Sequence, residues 1–149
     1  MAGEATQLRE LMQVLFRRFG VLASDRTPCG QALPIAHAHA LMVLLASQPL
    51  TQQQLGQALC IDKSNVTRLC QKLSSAGHIE QRVGDDARQR LVRLTPSGKR
   101  LARQVDEASE FRFRAIIDSM SSHRKQLIPV LQELVRGMEQ LSPPTEPDS

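Results

Sequence analysis

A chain of 149 residues is long enough to bury one proper core and too short for two ordinary domains. Its net charge of +4 is unevenly spread, at +1 over residues 1–50, +5 over 51–100 and −2 over 101–149, so the middle third suits a polyanion. No apolar run reaches the roughly 18 residues of a membrane span, no signal-peptide core opens the chain, and three scattered cysteines make no disulfide framework, which together point to the cytoplasm.

With no Trp or Tyr and only four Phe, aromatic stacking on single strands is poorly supplied, so a duplex is the better polyanion. Leu8, Leu11, Met12, Leu15, Phe16, Phe19 and Leu22 predict a long helix over residues 4–23, whose apolar stripe something must cover; only Gly20 stands against it. Residues 24–33, with Asp25, Pro28, Cys29 and Gly30, read as a loop. Pro34 then opens a nearly apolar helix through Ile35, Ala38, Leu41, Met42 and Leu45, which belongs at the centre of the core.

Thr51 to Gln54 matches a capping box, in which the Thr side chain and the Gln three places on satisfy each other's free backbone N–H groups. A short helix through Leu55, Ala58 and Leu59 follows. About three residues later Asp62 can cap a second helix, residues 62–76, with Val66, Leu69, Cys70 and Leu73 as its inward stripe and Gly77 as its left-handed stop. Residues 51–76 therefore make a helix-turn-helix. The outer face of the second helix carries Lys63, Ser64, Asn65, Thr67, Arg68, Gln71 and Lys72 and no acid, the donors that read base edges and grip phosphates in a major groove. A solvated amphipathic helix presents such a face too, and it is the neighbours that change the balance.

Ile79, Gln81 and Val83 alternate, as do Val92 and Leu94, on either side of a polar loop from Gly84 to Arg90; this predicts a β-hairpin. A hairpin directly after a helix-turn-helix is a wing, and Arg88 and Arg90 at its tip suit a phosphate or a minor groove. Thr95 and Pro96 open a helix running to about Met120. Ser122 can cap a last helix, in which Leu127, Leu131, Leu134, Met138 and Leu141 keep a heptad rhythm and Pro129 predicts a kink or a delayed start.

Three stretches carry a resemblance: Asp62-Lys-Ser-Asn-Val-Thr-Arg-Leu-Cys-Gln-Lys-Leu73, Asp86-Ala-Arg88, and Val92-Arg-Leu-Thr-Pro-Ser-Gly98. On these, in this order and spacing, the chain resembles the MarR (multiple antibiotic resistance regulator) family of winged-helix transcription factors over residues 4–141. The resemblance implies a mainly α fold with a small β-hairpin wing, long N- and C-terminal dimerisation helices, and one domain over residues 1–149. Within it, residues 35–100 form the winged helix-turn-helix lobe, 4–23 and 101–141 the dimerisation lobe, and 142–149 a disordered tail.

Functionally, the resemblance implies a homodimeric regulator, a repressor, on a palindromic double-stranded DNA operator, with Arg88 in a minor groove and release by a small-molecule effector. Expected DNA contacts are Thr51, Gln52, Lys63, Ser64, Asn65, Thr67, Arg68, Gln71, Lys72, Arg88 and Arg90. An effector pocket between the lobes is expected to draw on Arg17, His37 and Met42. Cys29, the one cysteine placed in a loop, is the candidate for thiol-oxidation sensing. A metal-sensing alternative rests on His37 and His39 near Cys29, but residues two apart on a helix point in different directions, so no metal is expected. No nucleophile, base and orienter fall together and no glycine-rich phosphate loop occurs, so neither an enzyme nor a cofactor is expected. The rival binding class is a winged helix used for protein contacts, which high salt would leave intact where duplex binding weakens.

Overall fold

The computed structural model describes residues 3–22, 27 and 32–141. In chain order these form α1 (Glu4–Arg18), α2 (Ile35–Ala46), β1 (Leu50–Thr51), α3 (Gln52–Leu59), α4 (Lys63–Ser75), β2 (Ile79–Val83), β3 (Arg90–Leu94), α5 (Pro96–Asp118) and α6 (Arg124–Glu139). There are two compact units, one running to Arg112 and the other starting at Phe113.

The core of the first unit is assembled from Ala40, Leu41 and Leu44 of α2, Leu55 of α3, Ile79, Val92 and Leu94 of the sheet, Ala102 of α5, and the whole inward stripe of α4. That stripe, Val66, Leu69, Cys70 and Leu73, is buried as its spacing requires. Each large aliphatic side chain removed from water in this way contributes roughly 1.5 to 3 kcal/mol, so the core fixes α4 on α2, α3 and the wing strands with its outer face turned away.

Local chemistry sets the element ends. The capping box is formed in full: Thr51 Oγ1 accepts from Gln54 N–H at 3.1 Å, and Gln54 Oε1 accepts from Thr51 N–H at 2.9 Å. Asp62 accepts from the Asn65 amide nitrogen at 2.8 Å and caps α4. Gly77, at φ +77°, closes α4: its N–H reaches Ser74 O and the next N–H reaches Leu73 O, the two bonds of a Schellman stop.

The same device ends α1 earlier than expected. Gly20, at φ +70°, places its N–H on Arg17 O and that of Val21 on Phe16 O, so the helix stops at Arg18 and residues 19–22 form a turn. No residue of α1 is buried; Leu8, Leu11, Val14, Leu15 and Phe16 are exposed. The expected loop over 24–33, with Asp25 and Cys29, lies outside the described residues except for Thr27 and positions 32–33, as does the expected tail 142–149.

The sheet has three strands in the order β1-β3-β2, all antiparallel. The hairpin pairs Ile79 with Leu94 through to Val83 with Arg90, and two-residue β1 adds Leu50 opposite Val92 and Thr51 opposite Leu91. Sequence alternation could not reveal β1, because two residues are too few to show a period.

In the second unit, α6 is capped by His123 in the left-handed conformation (φ 59°) and not by Ser122, whose hydroxyl instead meets His123 Nδ1 at 3.1 Å. The helix starts at Arg124, anchored by an exposed ion pair to Asp118 at 2.8 Å, and contains Pro129 five residues into the helix. No residue of α6 is buried: Ile128, Val130, Leu131, Val135 and Met138 are exposed, and Leu127 and Leu134 half-buried.

Candidate nucleic-acid interface

Three elements of the first unit bring the cationic and amide side chains together. α3, the start of α4 and the wing surround a cleft of about 460 Å³ whose lining includes Thr51, Gln52, Lys63, Arg88 and Arg90, five of the residues expected from the sequence. Gln53, Gln57 and Gln89 line it too. Their signal was available for α3, since Gln53 and Gln57 fall on the polar side opposite Leu55 and Leu59. Among the described residues no carboxylate pairs with Lys63, Arg88 or Arg90, so all three charges are available to an outside anion.

The wing tip shows why its aspartate is present. Asp86 Oδ1 accepts from the Arg88 amide at 3.0 Å and Asp86 O accepts from the Gln89 amide at 2.9 Å, while Gly84 N–H closes onto Gln89 O. Asp86 thus builds the turn that projects Arg88, an aspartate-capped turn of the kind such side chains favour. Arg88 is exposed in the turn itself and Arg90 begins β3.

On α4, Ser64, Asn65, Arg68, Gln71 and Lys72 are exposed. Thr67 is half-buried, and its hydroxyl meets Lys63 O at 2.8 Å and Gln52 Oε1 at 3.4 Å. Gln52 Nε2 donates to Gln81 Oε1 and Gln81 Nε2 donates to Ser74 Oγ at 3.1 Å, so a chain of side-chain bonds ties the first residue of α3, and α4 at Thr67 and Ser74, to β2. Gln52 therefore serves this internal chain as well as lining the cleft. Gln81 and Ser74 were not anticipated, because alternation marks a strand's faces and not the partners found across them.

Asn65 and Arg68 are linked to one another. Asp62 Oδ2 accepts from Asn65 Nδ2 at 3.0 Å, and Asn65 Oδ1 accepts from an Arg68 terminal nitrogen at 3.0 Å. Lys72, in the last turn, lies on the side of α4 that faces α2: the His37 pKa is lowered by burial first, and then by the charges of Lys72 and His78.

The residues expected around an effector fall on α1 and α2. Arg17 is exposed on α1, and His37 and Met42, both half-buried, are five apart on α2 and so point about 140° away from each other. Neither the cleft beside the wing nor a shallow apolar groove along α6, which contains Ile128, Leu131 and Val135, is lined by any of the three. Cys29 lies outside the described residues. Cys70 is buried, which pushes its thiol up to about 11, and Cys60 is exposed in the turn between α3 and α4. Among the described residues no three His, Cys, Asp or Glu side chains are placed to hold a metal, and no helix is long and apolar enough to cross a membrane.

Comparison with known proteins agrees with this lobe. Streptococcus pneumoniae FabT, solved in complex with DNA, superposes with a TM-score of 0.78 at 21% identity, covering 93% of this chain and all of that one. A structure of an S. aureus MepR–DNA complex gives 0.71 at 18% identity, covering 93% of this chain and 99% of that one. The PcaV transcriptional regulator from Streptomyces coelicolor, solved with its natural ligand, gives 0.67 at 19% identity, covering 94% and 100%. A search among curated proteins by sequence gave no match. Residues 33–89 match the model of the MarR family. That match takes in the helix-turn-helix and the wing as far as Gln89, and the superpositions carry the same fold over more than nine-tenths of the chain.

Proposed function

We propose that the chain is a sequence-specific regulator of transcription that binds double-stranded DNA in the cytoplasm as a homodimer on a palindromic operator, represses from it, and is released by a small molecule. The observation that carries this reading is the juxtaposition of an acid-free outer face on α4 with Lys63, Arg88 and Arg90 around one cleft. A helix of this kind fits a major groove, and a basic wing beside it reaches the adjoining phosphates and minor groove. FabT and MepR, whose folds this chain shares, were solved with DNA.

The second copy is supported by the apolar sides of α1 and α6. Neither helix has a buried residue, and Leu11 and Met138 are 63% and 60% exposed, apolar sides that a second copy would cover. The effector is supported by structural neighbours alone: PcaV was solved with its natural ligand, and NadR, which shares this fold at 18% identity, with 4-hydroxyphenylacetate.

Titration of labelled operator duplex at several salt concentrations tests the reading. Log affinity should fall linearly with log salt, at a slope near −0.9 per phosphate neutralised, so that a dimer with several cations per half loses on the order of a thousand-fold between 50 and 200 mM. An affinity indifferent to salt would instead favour apolar protein contacts.

A further inference from the structure

The side chains at the front of α4 form a directed relay. Asp62 holds the Asn65 backbone N–H with one carboxylate oxygen and its side-chain N–H with the other, and the Asn65 carbonyl accepts from Arg68. A carboxylate can only accept here and a guanidinium can only donate, so the amide between them has one orientation, nitrogen toward Asp62 and oxygen toward Arg68. Each neighbour takes one N–H or one lone pair of that amide, so an adenine contact would have to be made with the remaining N–H and lone pair, without turning the amide out of the orientation its neighbours set. Arg68 is placed differently. It is exposed, and with one of its five donors engaged by Asn65 it keeps four for other partners. Two adjacent donors match the two acceptors, O6 and N7, of a guanine edge in the major groove, whereas adenine offers one acceptor beside a donor.

We propose that Arg68 reads a guanine in each half of the operator, and that Asn65 is a positioning residue whose amide, fixed by Asp62, aims the guanidinium without itself reading a base. The proposal rests on the DNA-binding reading above and narrows it to one contact and one base.

The test is selection of full-length protein on random-sequence duplexes at fixed salt, followed by titration against single-base variants of the selected site. For the wild type, a guanine is expected in each half-site. Arg68→Ala should lose the preference at that position alone. Asn65→Ala should weaken it at the same position on the order of ten-fold and leave every other position unchanged, and the double variant should be no worse than Arg68→Ala. Asp62→Ser, which keeps a capping oxygen but loses the second contact to Asn65, should soften the same guanine, and it carries the test if Asn65→Ala melts early. Loss of preference at a different base in Asn65→Ala, with the guanine intact, would overturn the proposal by making Asn65 a reader. A wild type that selects no duplex would overturn the DNA-binding reading itself, a result separable from the first because it appears before any variant is made.

Discussion

Replacing Gly98 with Ala isolates the seam between α5 and the wing. Gly98 is buried in the first turn of α5, where its N–H reaches Thr95 Oγ1 at 3.0 Å. A Cβ at this position would lie 1.9 Å from the carbonyl oxygen of His78 and 2.8 Å from its carbon. The obstacle is backbone, so no rotamer relieves it. Nor is the carbonyl free to swing away, because it accepts from Thr95 N–H at 3.1 Å while the Thr95 hydroxyl donates to Gly77 O at 2.6 Å. The helix has to lift by more than 1 Å.

Overpacking on this scale costs about 1 to 3 kcal/mol, and stretching one of the Thr95 bonds adds about 1 kcal/mol, for a sum near 3 kcal/mol. In a chain of this length that lowers the melting temperature by roughly 10 °C. Thermal unfolding followed by circular dichroism measures it, at one fixed protein concentration because association also shifts stability. Gly137→Ala is the control: nothing lies within 4 Å of the added methyl, and the exposed site in α6 should gain about 0.5 kcal/mol from helix propensity alone. A Gly98→Ala protein melting within about 2 °C of wild type would refute the reasoning, since the close approach would then carry no cost.

Two further outcomes follow from groups inside the lobe. Burial, then Lys72, then His78 hold the His37 pKa below its ordinary 6.5, so the unfolded chain takes up the proton first; the stability this group contributes is present above about pH 6.5 and is lost as pH falls toward the folded value. Urea unfolding between pH 5.5 and 7.5 should show that loss, and His37→Gln should flatten it. Because burial pushes the Cys70 thiol to about 11, roughly one molecule in a thousand is thiolate at pH 8. Brief alkylation followed by peptide mass spectrometry should therefore mark exposed Cys60 and spare Cys70 until urea is added.

Where a residue's role is local, the sequence was a sufficient guide. The stripe of α4, the Thr51 box, the Asp62 cap and the Gly77 stop each depend on neighbours within eight positions, and the structure contains all of them. Gly20 was seen only as a weak helix former, although its left-handed torsion ends α1. Longer-range facts were not legible. Nothing around Gly98 announces that His78 lies against it, and nothing around Gln52 announces Gln81, twenty-nine residues away. The candidate site divides likewise: the cations were readable by type and place, but that Asn65 is engaged at both ends required the positions of Asp62 and Arg68 together.

The position of β3 bears on the order in which the lobe can form. It is the last of the three strands to be synthesised, yet it lies between the other two. Neither β1 nor β2 has a ladder partner until residues 90–94 exist, so during translation the α3 and α4 pair must wait, with part of its apolar surface uncovered, for a segment more than thirty residues downstream of the Thr51 cap. The closing contacts extend further, to Ala102 and Val105 of α5, both buried. A fragment designed to carry the interface alone must therefore run beyond residue 105. One cut after the helix-turn-helix at Ser75 would leave Leu50, Val66 and Leu73 without the strands that cover them, and should be recovered as aggregate.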